Sequence, residues 1–344
     1  MIKLDNKFAI GCIIQWYEIE IVKDYLQSVK NSLENIENKE NVIIDLHFYS
    51  SQDLEKIDES QITLSDIHLR YSKMLEDIFG HDEETVDYVG CQYNLNLHNN
   101  EIHNEIYTIA DYRREFNDKY CEKVDVLMWG ETDSLIPRQT FEVLDLLHSN
   151  NKQNKIYKYV SFFGTCKMWD DSWKPIEHTD FTDKPFIDGD KEDTENWWSL
   201  RYNMTIDEMN EINDKVESLD VRVVNPYKFN GCGLVISSDV IRSGVNIPKS
   251  VMLVHEDTAF QNSLIKMFDG SIPQFIIKNI LLVHNRKHPK KRMYVLGEDV
   301  SETNPNAKRN SNNWYKKVWE LDQHHANSMF RQTETYSWKD IFNE

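Results

Sequence analysis

Cysteine is sparse in this 344-residue chain, and its five cysteines are widely scattered. No two of them form a C-x-x-C pair, which argues against a disulfide framework and against a zinc site. No apolar run approaches the roughly 18 residues that are needed to cross a bilayer. We therefore expect a protein of the reducing cytoplasm, without a transmembrane segment.

Two phosphate-binding signatures are missing as well. The chain has no G-x-x-x-x-G-K-[ST] loop, and no G-x-G-x-x-G follows its first predicted strand. A kinase, an ATPase or a dinucleotide-dependent oxidoreductase would therefore lack its usual motif.

The net charge of −19 disfavours a polyanionic partner such as nucleic acid. The charge is uneven, however, because residues 286–317 carry nine Lys and Arg against three acids. The net charge of the whole chain therefore does not determine which ligand each face of the protein binds.

What the chain does contain is an alternation of strand and helix patterns. This order predicts an α/β protein with a mostly parallel sheet flanked by helices, in which ligands bind at the carboxyl ends of the strands. No element is predicted in the polar stretch between 80 and 104, which is rich in Asn and His. The predicted strands are 8–14, 42–49, 126–129, 158–164, 221–224 and 274–288, and the predicted helices are 18–33, 64–79, 105–121, 140–147, 205–219 and 255–268. The segment 229–244 is predicted to be a glycine-punctuated strand followed by the start of a helix.

No linker separates two independent halves of the chain. We expect one catalytic domain at 1–290 and a C-terminal extension at 291–344 packed on it. Within the domain, the acidic and Trp-containing segment 170–204 has little periodicity and is predicted to be a loop or lid.

The stretch VLMWGETDSLIP places two carboxylates directly behind a buried strand. Glu131 and Asp133 follow the glycine that ends this strand, and His284 ends the last predicted strand. Carboxylates with a histidine suit an oxygen-preferring divalent ion, and a substrate diphosphate can supply its remaining ligands. Such an ion neutralises charge on a departing diphosphate. The alternative is that the two acids are ordinary surface residues of a turn.

The segment VDVLMWGETDSLIPRQTFEVLDLL resembles the Asp-x-Asp region of GT-A glycosyltransferases, especially family-2-like ones. Glu131 and Asp133 stand at the two Asp positions. The segment IGCIIQWYEIEIVKDYLQSV resembles the first strand and helix of the family, and FNGCGLVISSDV resembles its acceptor-side strand. HEDTAF resembles the Glu-Asp motif that supplies the base in inverting members, and LLVHNRKH the late strand whose histidine can complete the metal site. The resemblance covers most of residues 7–290, in the order of the family.

Three positions depart from the pattern of the family. Glu131 replaces the first Asp of the motif, and Gln15 replaces a proline at the end of the first strand. The end of the second strand, FYSSQD, lacks the acidic pair that contacts the nucleobase, and Asp53 lies nearby but out of register.

The resemblance implies an enzyme that moves a sugar from a nucleotide-sugar donor, a UDP-sugar above all, to an acceptor hydroxyl with inversion. It implies Mn2+ or Mg2+ as the cofactor, held by Asp133, Glu131 and His284. It implies Asp257 as the general base, with Glu256 as its competitor. The implied donor contacts are Gln15, Tyr17, Arg113, Arg114, Thr132, Arg286 and Lys290, and the implied acceptor contacts are Trp197, Trp198, Gly231 and Gly233.

Several of these residues have an ordinary structural alternative. Asp257 could cap a helix, and His284 follows four apolar residues and could be a buried core histidine. Arg113 and Arg114 could be a solvated pair, and the two tryptophans could anchor a core.

Two other functions and one other acceptor stay open at this point. A nucleotidyltransferase of the same fold would need the metal carboxylates but not the Glu-Asp motif, and a non-catalytic carbohydrate- or nucleotide-binding relative would not hydrolyse a donor. The acceptor is expected to be a glycan. A hydroxymethylated base of viral DNA is the less usual acceptor, motivated by the basic and aromatic segment 308–317.

Overall fold

The computed structural model describes the chain in eleven segments. The acidic segment 170–204, which was predicted to be a loop or lid, and most of the predicted extension 291–344 lie outside them. Five predicted site residues lie outside them too, so their roles stay predictions: Tyr17, Trp197, Trp198, Arg286 and Lys290. The described residues are 1–15, 18–19, 21–50, 64–80, 87–88, 91–99, 107–165, 205–223, 231–252, 255–284 and 320–326.

Helices and strands alternate along most of the described chain. The strands are β1 (Phe8–Gln15), β2 (Val42–Ser50), β3 (Asp87–Tyr88), β4 (Cys91–Asn99), β5 (Val126–Trp129), β6 (Ser134–Leu135), β7 (Val160–Thr165), β8 (Val221–Val223), β9 (Val235–Ser237) and β10 (Gln274–His284). The helices are α1 (Val22–Leu33), α2 (Leu64–Phe79), α3 (Ile109–Tyr120), α4 (Thr140–Gln153), α5 (Ile206–Asn213), α6 (Ser238–Arg242) and α7 (Glu256–Phe268).

The strands form one sheet in the order β3-β4-β2-β1-β5-β9-β7-β10-β6, and β8 pairs with β10. The β4-β2-β1-β5 half is parallel throughout, and β7 and β10 are parallel to each other. The short strand β9 lies antiparallel between β5 and β7. The predicted α/β class with a mostly parallel sheet is confirmed, and this arrangement is consistent with the GT-A fold.

The two faces of the sheet carry separate hydrophobic cores. The even-numbered residues of β1 pack with α1, α2 and α4, whereas Ala9 and Ile13 pack with α3, α6 and α7. This division follows from the two-residue period of a strand, which sends successive side chains to opposite faces. Burial on both faces explains why β1 is a continuous apolar run.

Helix α3 lies unusually close to the sheet. A Cβ atom added at Gly11 of β1 would come within 2.5 Å of the Phe116 ring. The helix begins with a capping box between Thr108 and Asp111. Because α3 runs back along the sheet before β5, its first turns lie at the carboxyl edge of the parallel strands, where ligands bind.

The structure differs from the predictions in one unpredicted strand and in several helix boundaries, among them the end of α4 at Gln153, six residues beyond the predicted end. The polar segment Cys91–Asn99, for which no element was predicted, forms β4 and pairs along its length with β2. Helix α1 begins at Val22, four residues later than expected, and α5 ends at Asn213 instead of 219. Strand β4 alternates apolar residues (Cys91, Tyr93, Leu95, Leu97) with polar ones, the two-residue period of a strand, and the sequence analysis overlooked this signal in a segment rich in Asn and His.

Residues 320–326 are helical and contact the sheet domain. Met252 donates its backbone N–H to Asp322 at 3.0 Å, and the side-chain amide of Asn262 on α7 donates to the carbonyl of Ala326. The predicted division into a domain at 1–290 and an extension at 291–344 stays a prediction. Within the described residues, no helix combines the length and the apolar character that a membrane span requires.

Candidate active site

The two carboxylates of the predicted metal motif are presented by a tight turn between β5 and β6. Gly130 begins the turn and donates its N–H to the carbonyl of Gly11 at 2.7 Å. A Cβ atom here would come within 2.1 Å of the Tyr25 hydroxyl, so only glycine fits. The carbonyl of Glu131 then accepts both the N–H of Ser134 at 3.0 Å and its hydroxyl at 2.7 Å. Asp133 is held inside this turn and is buried.

His284 reaches the same turn from the last strand. Strand β10 pairs antiparallel with β6, and this register places His284 opposite Ser134. Its Nε2 atom lies 3.0 Å from Glu131 Oε2 and 3.0 Å from Asp133 Oδ1. The structure therefore brings together the three residues that were predicted to hold a metal ion.

The electrostatics of His284 follow from these neighbours. Burial alone lowers the pKa of a histidine, but the neighbouring Cys232, Asp133 and Glu131 raise the pKa of His284 well above its ordinary value. Without a bound cation, the imidazolium balances part of the negative charge of the two carboxylates.

Cys232 belongs to this cluster, although the sequence analysis did not select it. The N–H of Gly233 donates to the carbonyl of Trp129 at 3.0 Å, which extends the β5–β9 pairing and places Cys232 beside the carboxylate turn. Ligand atoms of Glu131, Cys232 and His284 all lie within 4.8 Å of one another. Burial raises the pKa of the Cys232 thiol. The scattered cysteines argued against a zinc site, but the geometry places one of them, Cys232, among three residues that could hold a metal ion.

Arg113 links the carboxylate turn to the start of α7. It is 1% exposed, and its Nη2 donates to Glu131 Oε1 at 3.0 Å and to the carbonyl of Gly231 at 3.1 Å. Its Nη1 donates to Glu256 Oε1, and its guanidinium carbon lies 4.7 Å from the centre of the Trp129 ring. Arg113 therefore forms a buried bridge between two acids, and its predicted contact with a donor diphosphate stays a prediction.

Gly231 lies where this bridge meets the acceptor-side motif. A Cβ atom added there would come within 2.2 Å of Arg113 Nη1. Its N–H donates to Asp257 Oδ2 at 3.0 Å. Gly231 therefore packs against the guanidinium on one side and orients the candidate base on the other.

The Glu-Asp motif lies at the N-terminus of α7. His255 precedes it with a positive φ of 62°, a left-handed conformation that turns the chain into the helix. Asp257 is half-buried, and its Oδ1 accepts the N–H of Thr258 at 2.7 Å. Glu256 is buried, and burial raises its pKa to about 7 against the opposing effect of Arg113.

Arg114 is hydrogen-bonded to the loop before α7, and its predicted donor contact stays a prediction. Its guanidinium donates to the carbonyls of Ile247, Pro248 and Val251 at 2.9–3.1 Å, and to Asp111 at 2.9 Å. These bonds hold the loop before α7 against α3, so Arg114 has a different function from its neighbour on the same helix.

Three further predicted contacts are placed as follows. Gln15 ends β1, and its backbone N–H donates to Glu18 at 3.0 Å. Thr132 is buried inside the carboxylate turn, and its hydroxyl has no hydrogen-bond partner among the described residues. Gly233 has a positive φ of 71°, and a Cβ atom there would come within 2.4 Å of Leu282. The structure thus gives Gly233 a packing role, and the ligand contacts of all three stay predictions.

The side chains that could ligate a metal fit a divalent ion. Two carboxylates and one imidazole converge on a small volume, which matches the oxygen and nitrogen ligands that Mn2+ takes. The thiol of Cys232 adds a softer donor that Mg2+ and Mn2+ do not need. The residues present therefore fit a metal ion, and the thiol broadens the range of ions that they fit.

Comparisons with known proteins add little to this picture. No protein-family model and no curated protein sequence matches the chain. The crystal structure of S. aureus TarS 1-349 is similar over 98% of this chain and 78% of its own, with 9% identity and a TM-score of 0.45. A second S. aureus TarS structure is similar over 97% of this chain and 46% of its own, with 10% identity and a TM-score of 0.45.

A third likeness is to glucosyl-3-phosphoglycerate synthase from Mycobacterium tuberculosis, crystallised in complex with Mg2+ and uridine-diphosphate. It extends over 85% of this chain and 75% of the other, with 8% identity and a TM-score of 0.38. At TM-scores this low, these likenesses carry no argument about activity. The fold assignment rests on the strand order and registers of the chain itself.

Proposed function

We propose that the chain is a metal-dependent glycosyltransferase that moves a sugar from a nucleotide-sugar donor to an acceptor hydroxyl with inversion. The observation that carries this proposal is the convergence of Glu131, Asp133 and His284 at the carboxyl edge of the sheet. Glu131 and Asp133 lie in one turn after β5, His284 ends β10, and both carboxylates lie 3.0 Å from the same histidine nitrogen, an arrangement that ordinary surface acids do not have.

Glu131, Asp133 and His284 would hold the ion. A bound Mn2+ or Mg2+ ion would neutralise negative charge on the departing diphosphate. The protein contributes the fixed positions of the carboxylates: the turn holds Asp133, and Arg113 holds one oxygen of Glu131 while leaving Oε2 directed toward His284.

Asp257 would act as the general base. It is half-buried, whereas Glu256 is buried and bonded to Arg113, so Asp257 is the acid that an incoming acceptor can reach. The acceptor oxygen forms a bond to the anomeric carbon while its proton passes to Asp257. The bond from that carbon to the diphosphate oxygen breaks, and the diphosphate leaves with the bonding electrons.

The acceptor would enter beside Gly231 and Gly233, with Trp197 and Trp198 as further proposed contacts. A UDP-sugar donor and a glycan acceptor are our proposals for the substrates. Thr132 is a further proposed donor contact, because it stands between the two candidate metal ligands in the sequence.

A nucleotidyltransferase of the same fold is the second candidate. It would use the carboxylate turn but not the Glu-Asp motif. The bridge from Glu131 through Arg113 to Glu256 favours the glycosyltransferase, because it ties the acceptor-side motif to the metal site through buried hydrogen bonds.

A donor screen tests the proposal. Purified protein would be incubated with a panel of nucleotide sugars, with and without Mn2+, and the products identified by mass spectrometry. We expect release of nucleoside diphosphate from one donor, only with metal, and not by Asp133→Asn. Release of sugar 1-phosphate with transfer of the nucleotidyl group would favour the second candidate, and no turnover of any donor would favour a binding protein.

A further inference from the structure

The carboxylate–histidine cluster contains a thiol that a site for Mg2+ or Mn2+ does not require. Ligand atoms of Glu131, Cys232 and His284 lie within 4.8 Å of one another, and both Cys232 and His284 are only 1% exposed. Oxygen-preferring ions use carboxylates and water, whereas thiolate ligands select Zn2+ and other softer ions.

The backbone on either side of Cys232 keeps the thiol in this place. Gly233 is hydrogen-bonded to Trp129, and any side chain at Gly233 would collide with Leu282. Gly231 is packed in the same way against Arg113. Neither glycine can move without disturbing its contact with Arg113 or Leu282. The backbone of Cys232 between them is therefore fixed, and this places its thiol beside the carboxylates.

We propose that Cys232 is a metal ligand, and that Glu131, Cys232 and His284 together bind Zn2+ or a similarly thiophilic divalent ion in preference to Mn2+. The inference deepens the metal site of the proposed function. Three protein ligands with at least one open position are the usual arrangement of a catalytic zinc site, and the open position could accept a phosphate oxygen. Binding of the metal ion releases the thiol proton of Cys232 and one proton of the His284 imidazolium to solvent.

X-ray absorption at the zinc edge of the wild-type protein with one equivalent of Zn2+ tests the ligand directly. We expect one sulfur scatterer at about 2.3 Å beside nitrogen and oxygen at about 2.0–2.1 Å. A shell of nitrogen and oxygen alone would overturn the proposal. This measurement needs no substrate and no variant, so it is independent of whether the protein transfers sugar.

Affinity measurements with a chromophoric chelator give a second test. Any site of this kind binds Zn2+ more tightly than Mn2+, so the informative quantity is the change in the Zn2+/Mn2+ affinity ratio. The ratio should fall by at least about 100-fold in Cys232→Ser, because the loss of even an outer-shell partner costs about 10–100-fold. Mn2+ binding should change little.

Cys121→Ser is the matched control, since Cys121 is also buried and free but lies at the far end of α3. It should keep the wild-type ratio. An unchanged ratio in Cys232→Ser, with a melting curve showing that the variant is folded, would contradict the proposal. If metal ligation holds but no donor is turned over, only the glycosyltransferase assignment fails.

Discussion

Arg113 Nη2 lies 3.0 Å from Glu131 Oε1, and the same buried guanidinium is bonded to Glu256 at the start of α7. This bridge joins the two acidic motifs from which the function is inferred, although they are far apart in the chain. The pKa of Arg113 is raised because its two carboxylate partners outweigh the effect of burial. The guanidinium therefore stays charged and holds both acids in place.

Arg113→Lys should lower the rate of transfer by about 10–100-fold, the range found when an outer-shell partner of a metal ligand is lost. A lysine keeps the charge, but it lacks the planar fork that contacts two acids and a carbonyl at once. Steady-state kinetics with the identified donor would measure the effect.

Arg114→Lys is the control for that variant. Arg114 bonds to loop carbonyls and does not contact either acidic motif. Its replacement should cost about 1–3 kcal/mol of unfolding free energy but leave the rate of the folded protein unchanged. Equal losses of rate in the two variants would refute the positioning role of Arg113.

Asp133→Asn should abolish metal-dependent transfer while the protein stays folded. Asparagine has the size of aspartate, but it lacks the negative charge of the carboxylate that would bind the cation. Oδ1 of this carboxylate lies 3.0 Å from His284 Nε2. We expect a loss of at least about 100-fold, more than the loss of an outer-shell partner. Asp214→Asn, at an exposed ion pair with Arg138, should be fully active. Near-wild-type turnover by Asp133→Asn at limiting Mn2+ would remove Asp133 from the metal site.

Chelation with EDTA should stop transfer, and added Mn2+ should restore it better than Ca2+. The carboxylate turn encloses a small volume, which favours an ion smaller than Ca2+. The measurement is product formation before and after addition of each ion. Full activity in EDTA would indicate a metal-independent enzyme, in which basic residues such as Arg286 or Lys290 stabilise the leaving group.

The metal residues could be predicted from sequence because they follow buried strands. Glu131 and Asp133 directly end an apolar run, and His284 ends another, so topology alone places them at one edge of the sheet. The α/β class followed from the same alternation. Both features depend on the local order of apolar and polar residues, which can be seen in the sequence.

Cys232 and the role of Arg113 depend on contacts between distant segments. Cys232 reaches the cluster because β9 inserts antiparallel between β5 and β7, a strand order that periodicity does not encode. The flanking glycines in NGCGL were the available signal, since they mark close backbone packing. The position of Arg113 on a helix was predictable, but its hydrogen bonds to Glu131 and Glu256 were not, because both partners lie in other segments of the chain.

Stability should depend on pH through Glu256. Burial raises its pKa from 4.5 to about 7, so folding favours the protonated carboxyl. Its stabilising contribution is fully present below about pH 4.5 and is lost as the pH rises through about 7. The unfolding free energy of wild type relative to Glu256→Gln should therefore fall across this window, by at most about 3 kcal/mol. Denaturant melts of both proteins at several pH values would measure it. A difference that does not vary with pH would show that Glu256 is ionised throughout.

Asp257→Asn tests which acid is the base. Asparagine caps a helix about as well as aspartate and can keep one of the two backbone hydrogen bonds, to Thr258 or to Gly231. The melting temperature should therefore fall by only a few degrees, and binding of the nucleotide sugar should be unchanged. The basicity is lost, however, and a positioned base contributes roughly 10²–10⁴-fold to such a step. Transfer to the acceptor should fall by that factor, while hydrolysis of the donor, which depends on the metal site, continues.

An active Asp257→Asn with an inactive Glu256→Gln would assign the base to Glu256, whose pKa near 7 suits proton transfer at neutral pH. If both variants transfer sugar at the wild-type rate, neither acid is the base, and the inverting mechanism is wrong.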